Sequence, residues 1–206
     1  MKIVSYSLGQ MRANCYLLLN DKNCLIIDPG DEADFLLEAI QRQNLKPVAI
    51  LATHGHFDHV MAVGEVQRSV ETQGIASLPL YIHKNDLFLL KRAGKTAEHF
   101  LEINPYCLPP TKIENLKEGP MEIDDFKLEV IFTPGHTPGS CCFYFKDEQV
   151  VFTGDTLFKD GIGRYDFGYS SKKDLDSSLK KIKTLPEDTI IYPGHGEETI
   201  ISACHS

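Results

Sequence analysis

The chain has 206 residues, 42% apolar and 24% charged, with a net charge of −8. That length suits one domain with a full core, the composition is ordinary for a soluble globular protein, and the acidic balance argues against a nucleic-acid-binding surface. No apolar run approaches the roughly 20 residues of a membrane span; the start "MKIVSYSLGQ" lacks the pattern of a signal peptide, and the six cysteines are too irregular for a disulfide framework, so reduced thiols and a cytoplasmic location are expected.

Three short strands are predicted first, in "KIVSY", "CYLLL" and "CLIID". "DPGD" (28–31) breaks the third, and Glu32 to Gln43 then has helical spacing with Phe35, Leu36, Ala39 and Ile40 facing inward. "PVAILAT" is a buried-strand run, helical spacing resumes from Val60 to Gln73, and "LPLYIH" is another strand. In the less regular segment 84–120, "KNDLFLLKRAG" predicts a helix stopped by Gly94, and "NPYCLPP" a loop. This segment is a candidate substrate-facing lid or insertion, with Phe88, Phe100 and Tyr106 as contacts, or else packing for a homodimer; otherwise a monomer is expected. Alternation returns in "FKLEVIF", "SCCFYF" and "QVVF", where Cys141 and Cys142 point to opposite faces. A last helix covers about 172–184, followed by the strand "TIIYP". Strands in both halves with helices between them predict a layered α/β or α+β sandwich, formed as a single domain over 1–206.

Four segments share one grammar: "VAILATHGH", "LEVIFTPGHT", "QVVFTGDT" and "DTIIYPGHG". In each, an apolar strand ends and delivers His or Asp, so His54, His56, His136, Asp155 and His195 sit at carboxyl ends of strands. Strand ends are rigid platforms for chemistry carried on the following loops. Imidazole and carboxylate are ligands for zinc and similar metals. "HGHFDH" offers His54, His56, Asp58 and His59 in close succession, too many for one loop to wrap around a single tetrahedral ion, so they divide more readily between two. With His136, Asp155 and His195 the set reaches seven, which suits two four-coordinate sites sharing a carboxylate and a water. His83, His99 and His205 stand apart from these motifs and are expected to be surface or core filler.

The runs "THGHFDH", "PGHT", "GDTLF" and "YPGHG" resemble those of the metallo-β-lactamase-fold hydrolases, most closely the glyoxalase II-like (hydroxyacylglutathione hydrolase-like) branch. The resemblance extends from "IIDPG" to "PGHGEET" and implies a four-layer αββα sandwich with a dinuclear centre at one edge. It assigns His54, His56 and His136 to one metal and Asp58, His59 and His195 to the other, with Asp155 bridging, and Asp28 either supporting a ligand from behind or serving the turn that opens the following helix. It implies two divalent ions, zinc first, with iron or manganese also accepted by this donor set. It also implies a small-molecule thioester substrate whose acyl carbon is attacked by metal-bound hydroxide, with Asp155 and Asp58 as catalytic carboxylates and Asp58 steering the nucleophile's proton. A thiolate leaves without a dedicated acid, and the motifs show none.

Two departures bear on the substrate. Only 11 residues follow His195, short of the helical segment with which glyoxalase II enzymes grip glutathione, so a glutathione site is expected to be incomplete or built otherwise. In "GRYDF", Arg164 matches that family's substrate-binding lysine position, but Asp166 stands at its tyrosine position. Arg164 is therefore either a substrate-carboxylate anchor or the partner of Asp166 in an ion pair. The same "GRYDF" occurs in persulfide dioxygenases of this fold, which use one iron held by two histidines and an aspartate (here His54 or His56, His136 and Asp155). "YPGHGEET" looks more like the hydrolases. A lactonase or esterase is a further alternative. An RNA-processing nuclease of this fold would need an inserted domain for which the chain has no room, and nucleic-acid or membrane partners are not expected.

Overall fold

The protein is described by a computed structural model over residues 1–72, 74 and 78–204. Its amino-terminal strands β1 (Lys2–Leu8), β2 (Ala13–Asn20) and β3 (Asn23–Ile27) form an antiparallel meander. Helix α1 (Ala33–Arg42) then crosses to β4 (Lys46–Leu51), which lies parallel to β3. Two short helices, α2 (Phe57–Val60) and α3 (Val63–Thr72), lead to β5 (Leu80–Ile82). A 3₁₀ turn at Lys84–Asp86, α4 (Leu87–Leu90) and α5 (Ala93–Leu101) precede β6 (Ile113–Asn115), and the first sheet runs β1-β2-β3-β4-β5-β6.

The second sheet takes β7 (Gly119–Ile123), β8 (Phe126–Phe132), β9 (Cys141–Phe145) and β10 (Val150–Gly154) as antiparallel neighbours. A small hairpin, β11 (Leu157–Phe158) and β12 (Gly161–Ile162), and helix α6 (Lys172–Ile182) follow. Strand β13 (Ile190–Pro193) then joins parallel to β10, with β14 (Thr199–Ile200) at the edge.

Three apolar cores separate four layers. Strand β2 is buried along nearly its whole length and shows why: Cys15, Leu17 and Leu19 face the α1/α3 side, while Tyr16 and Leu18 face the other sheet. Cys141, Phe143 and Phe145 of β9 meet them between the sheets, and Cys142 and Tyr144 pack beneath α6 with Leu175 and Ile182. A strand buried on both faces must be apolar at every position, whereas a helix covering one face needs only a stripe. This is the αββα arrangement expected from the resemblance, and Cys141 and Cys142 do face opposite layers. All six cysteines are free.

Several local expectations are corrected. Phe35 does not face inward: it is 42% exposed and rests edge-on against Tyr6, while Ala33, Leu36 and Ile40 fill the buried stripe of α1. Gly94 does not stop a helix but lies inside α5, against the side chain of Cys107. The helix expected from Val60 begins earlier as α2 and restarts as α3, so Asp58 and His59 stand on a helical turn rather than a loop; Gln73 and His205 lie outside the described residues. Strands β6, β7, β11, β12 and β14 were not expected from the sequence, since they are short or mostly unburied. Among the described residues no helix is long and apolar enough to cross a membrane.

Phe143 is fully buried between the sheets. Phe143→Ala is expected to destabilise the fold by about 3–5 kcal/mol through lost burial and a cavity, measured by urea unfolding.

Candidate metal centre

The carboxyl ends of β4, β8, β10 and β13 gather at one edge of the sandwich. His54 and His56 follow β4, with Asp58 and His59 on α2; His136 follows β8, Asp155 follows β10 directly, and His195 follows β13. Their donor atoms converge as three overlapping groups, each within 4.8 Å: His54, His56 and His136; His54, His59 and Asp155; Asp58, His59 and His195. All seven residues singled out in the sequence are thus in one cluster. Asp155 lies between its halves, with Oδ2 3.6 Å from His136 Nε2 and Oδ1 3.5 Å from His59 Nε2. Asp58 Oδ2 is 3.3 Å from His195 Nε2.

The sequence places a hydrogen-bond partner behind four of the imidazoles. His136 Nδ1 donates to the carbonyl of Arg164 at 2.8 Å, which turns Nε2 towards the cluster. Asp28 accepts from the amide and hydroxyl of Thr53 and lies 3.0 Å from His59 Nδ1, so His59 also presents Nε2. Because Thr53 Oγ1 donates to Asp28, it accepts from His54 Nδ1 at 3.1 Å. His56 is reversed: its Nε2 meets Tyr169 Oη at 2.8 Å and its Nδ1 faces His54 and His136. Such outer partners fix the tautomer and aim the lone pair of a metal-ligating histidine. The supporting place expected for Asp28 is therefore where the structure puts it.

Charge divides the cluster. Burial, then the neighbouring imidazoles, hold His54 far below the ordinary histidine range, and burial with His136 does the same to His56. Burial opposes charge on His59 too, but Asp58, Asp155 and Asp28 outweigh it and raise its pKa. The His195 pKa rises despite burial through Asp58 and Asp155, and Asp58, whose burial is outweighed by His59 and His195, lies below the usual carboxylate range. Two buried atoms in the middle, His59 Nε2 and Asp155 Oδ1, have no hydrogen-bond partner among the described residues. Buried polar atoms left unpaired are costly; divalent cations satisfy them, and the nitrogen and oxygen donors suit such ions. The residues fit a metal-binding cluster.

A cavity of about 280 Å³ opens on the cluster, walled by Phe57, Phe100, Phe158, Ile162, Phe167 and Tyr169 among others. Phe100, from segment 84–120, is on its wall, and Phe88 touches it indirectly, edge-on to Tyr169 at 5.4 Å. Tyr106 lines a different hollow beside Asp31 and Ile103, so its expected substrate contact is not supported. Arg164 reaches the cavity, but its guanidinium binds both oxygens of Asp166 at 3.0 and 2.9 Å and lies over the Phe167 ring at 4.4 Å. Its carbonyl, bonded to His136, is the part that touches the cluster. His83 packs edge-on against Phe132 and His99 is exposed beside Phe100, both outside the cluster as expected.

The fold and the cluster together define a class. Residues 8–195 match the family model described as the metallo-beta-lactamase superfamily, and the chain belongs to that superfamily. Among its relatives, it is 38% identical over 200 residues to the probable metallo-hydrolase YqgX of Bacillus subtilis, covering 97% of this chain and 92% of that one. It is 36% identical to the hydroxyacylglutathione hydrolase GloC of Haemophilus influenzae, covering 98% and 93%. The crystal structure of TTHA1623 in a di-iron-bound form superposes with a TM-score of 0.86 at 38% identity, covering 97% of this chain and 96% of that one. The protein is a metal-dependent hydrolase of this superfamily.

Two residues at the site were missed by sequence reasoning. Tyr169 is one; burial and the charge of Asp86 push its phenol up to about 12, so it stays protonated at neutral pH. Asp86 is the other. It is fully buried and accepts from Gly55 N at 2.8 Å, Thr137 Oγ1 at 2.6 Å and Gly139 N at 2.6 Å, tying the His54–His56 turn to the loop after His136. A Cβ on Gly139 would stand 2.6 Å from Asp86 Oδ1, so the glycine of "HTPG" makes room for this carboxylate. Burial raises the Asp86 pKa, with the three donors opposing it. Asp86→Asn faces an amide group towards donors. It is expected to cost about 2–3 kcal/mol in urea unfolding and about 10–100-fold in metal affinity measured by chelator competition.

Proposed function

We propose that the protein hydrolyses a small thioester, of the S-acylglutathione type or related, at a pair of divalent ions, zinc first among them. The observation that carries this reading is the position of Asp155 between two complete donor sets. His54, His56 and His136 would hold one ion and Asp58, His59 and His195 the other, with Asp155 shared. When bound, such ions supply a water acidic enough to be deprotonated near pH 7 and an electrophile for a carbonyl oxygen.

The chain's own groups do the rest. Asp58 stays a carboxylate beside His59 and His195 and can accept a hydrogen bond from the attacking water, steering its proton. The apolar wall of Phe57, Phe158 and Phe167 excludes bulk solvent from the reacting carbonyl. A thiolate leaving group has a conjugate acid with pKa near about 8.5 and departs without a proton donor. The relative named hydroxyacylglutathione hydrolase supports the thioester class. Arg164, engaged by Asp166, would anchor a substrate carboxylate only by giving up that pair. An exposed, solvent-screened pair of this kind contributes little, so exchange is cheap.

Sulfur oxidation at one iron is the second reading. It would use His54 or His56, His136 and Asp155; all seven donor positions can be present in both classes, so the cluster does not separate them, and the hydroxyacylglutathione hydrolase relative is what supports hydrolysis. Lactones and esters present the same carbonyl and are further substrates to assay.

The test is a paired assay on protein of known metal content. Two metals per chain and anaerobic cleavage of S-lactoylglutathione are expected. One iron per chain with oxygen uptake on glutathione persulfide would replace this reading with the dioxygenase. Asp155→Ala is expected to abolish turnover and to lower the metal content by at least one ion; full activity would contradict its bridging position.

A further inference from the structure

His56 is held from both sides. Its Nδ1 lies 3.1 Å from His54 Nε2 and 3.0 Å from His136 Nε2, and its Nε2 lies 2.8 Å from Tyr169 Oη. A nitrogen aimed at the other donors must present a lone pair to act as a ligand, so the ring proton sits on Nε2. Nε2–H therefore donates and the phenol oxygen accepts. This leaves the phenol's own hydrogen unused, because Tyr169 makes no other hydrogen bond among the described residues.

The hydroxyl is also fixed in place. Phe167 stacks on the Tyr169 ring at 5.4 Å and 17°, and Phe88 meets it edge-on at 5.4 Å and 73°. Tyr169 lines the cavity, where Phe100, Phe158 and Ile162 offer no polar atoms and Arg164 is occupied by Asp166. The oxygen stands behind the His56 ring as seen from the cluster. A carbonyl reacting at the cluster is therefore one imidazole away, and the hydroxyl faces a part of the substrate a few bonds further on.

We propose that Tyr169 is a specificity-determining residue whose hydroxyl donates to a neutral acceptor, an amide carbonyl or a hydroxyl oxygen, a few bonds from the scissile carbonyl of an acyl thioester. This rests on the thioester reading given above. A neutral acceptor suits the stretch of wall around the phenol, where Phe88, Phe100 and Phe167 are apolar and the hydroxyl carries no charge; a substrate carboxylate would be met by Arg164 instead. The interaction holds the substrate at a non-reacting point, so it acts mainly on binding.

The test pairs Tyr169→Phe, which keeps the ring and its stacking, with three substrates. These are the acetyl thioester of N-acetylcysteamine (amide acceptor), the lactoyl thioester of propanethiol (hydroxyl acceptor) and the acetyl thioester of propanethiol (neither). The loss in kcat/KM with at least one acceptor-bearing substrate is expected to exceed that with acetyl propanethiol by about five- to tenfold, chiefly through KM. The arm that shows the excess identifies which side of the substrate Tyr169 reads. Equal losses on all three overturn the proposal. Assays at saturating metal hold occupancy equal in the two proteins, so any weakening of the support to His56 lowers turnover of all three substrates alike. A loss confined to that uniform drop would mean that Tyr169 only steadies His56, and the proposal falls. If the native protein cleaves none of the three, the thioester reading fails by itself, and the question passes to binding of the uncleavable S-propyl-N-acetylcysteamine by titration calorimetry. Weaker binding by Tyr169→Phe, by the same five- to tenfold, upholds the assignment. Equal binding, or none by the native protein, overturns it.

Discussion

Everything at this edge of the molecule depends on one electrostatic constraint: several buried imidazole and carboxylate lone pairs are turned towards a common point. Such an arrangement is unfavourable without cations, because each group would otherwise be solvated or protonated. The protein holds it with a ring of partners behind the ligands. Asp28 and Thr53 back His59 and His54, the Arg164 carbonyl backs His136, and Tyr169 backs His56. Each of these partners blocks the alternative tautomer or rotation that would relieve the crowding. The depressed pKa values of His54 and His56 are the same constraint expressed as proton affinity.

The layered fold is what makes the constraint sustainable. Apolar strands buried on both faces leave little freedom at their ends, and β4, β8, β10 and β13 all deliver donors there. Long-range polar contacts lock those ends together. Asn14 Nδ2 donates to the carbonyls of Pro193 and Gly196 at 3.0 and 2.9 Å, and the Tyr16 hydroxyl also donates to Pro193, so β2 of the first sheet grips the turn that carries His195. Asp86 performs the equivalent task for the other histidine loops. A substitution in these supports acts on the chemistry without touching a substrate.

Much of this was legible in the sequence, and the remainder failed for identifiable reasons. Strand ends followed by His or Asp, together with the dense run "HGHFDH", are local patterns, so all seven cluster residues could be read directly. Asp28 was readable only through the resemblance, since "DPG" by itself reads as a turn before a helix. Asp86 was not, since a single acid at the start of a short helix has no motif, and its three donors come from Gly55, Thr137 and Gly139. Tyr169 meets His56 across 113 residues, which no local spacing encodes. The function of Arg164 at the cluster lies in its carbonyl, and backbone groups leave no trace in residue type. Helix α5 runs through Gly94 because packing against Cys107 overrides the low helix propensity of glycine.

One feature of the donor sets bears on how the molecule behaves outside catalysis. His54, His56, Asp58 and His59 belong to the first sheet's side of the sandwich, while His136, Asp155 and His195 belong to the second. Every one of the three donor groups draws from both sides. A captured ion is consequently a cross-link between the two halves of the polypeptide, spanning long stretches of chain much as a disulfide does. It can be gripped by its full set only after the halves have docked, and once gripped it must be released before they can part. The same ions that serve hydrolysis would then act as a kinetic latch on unfolding, in a protein whose thiols form no covalent staple.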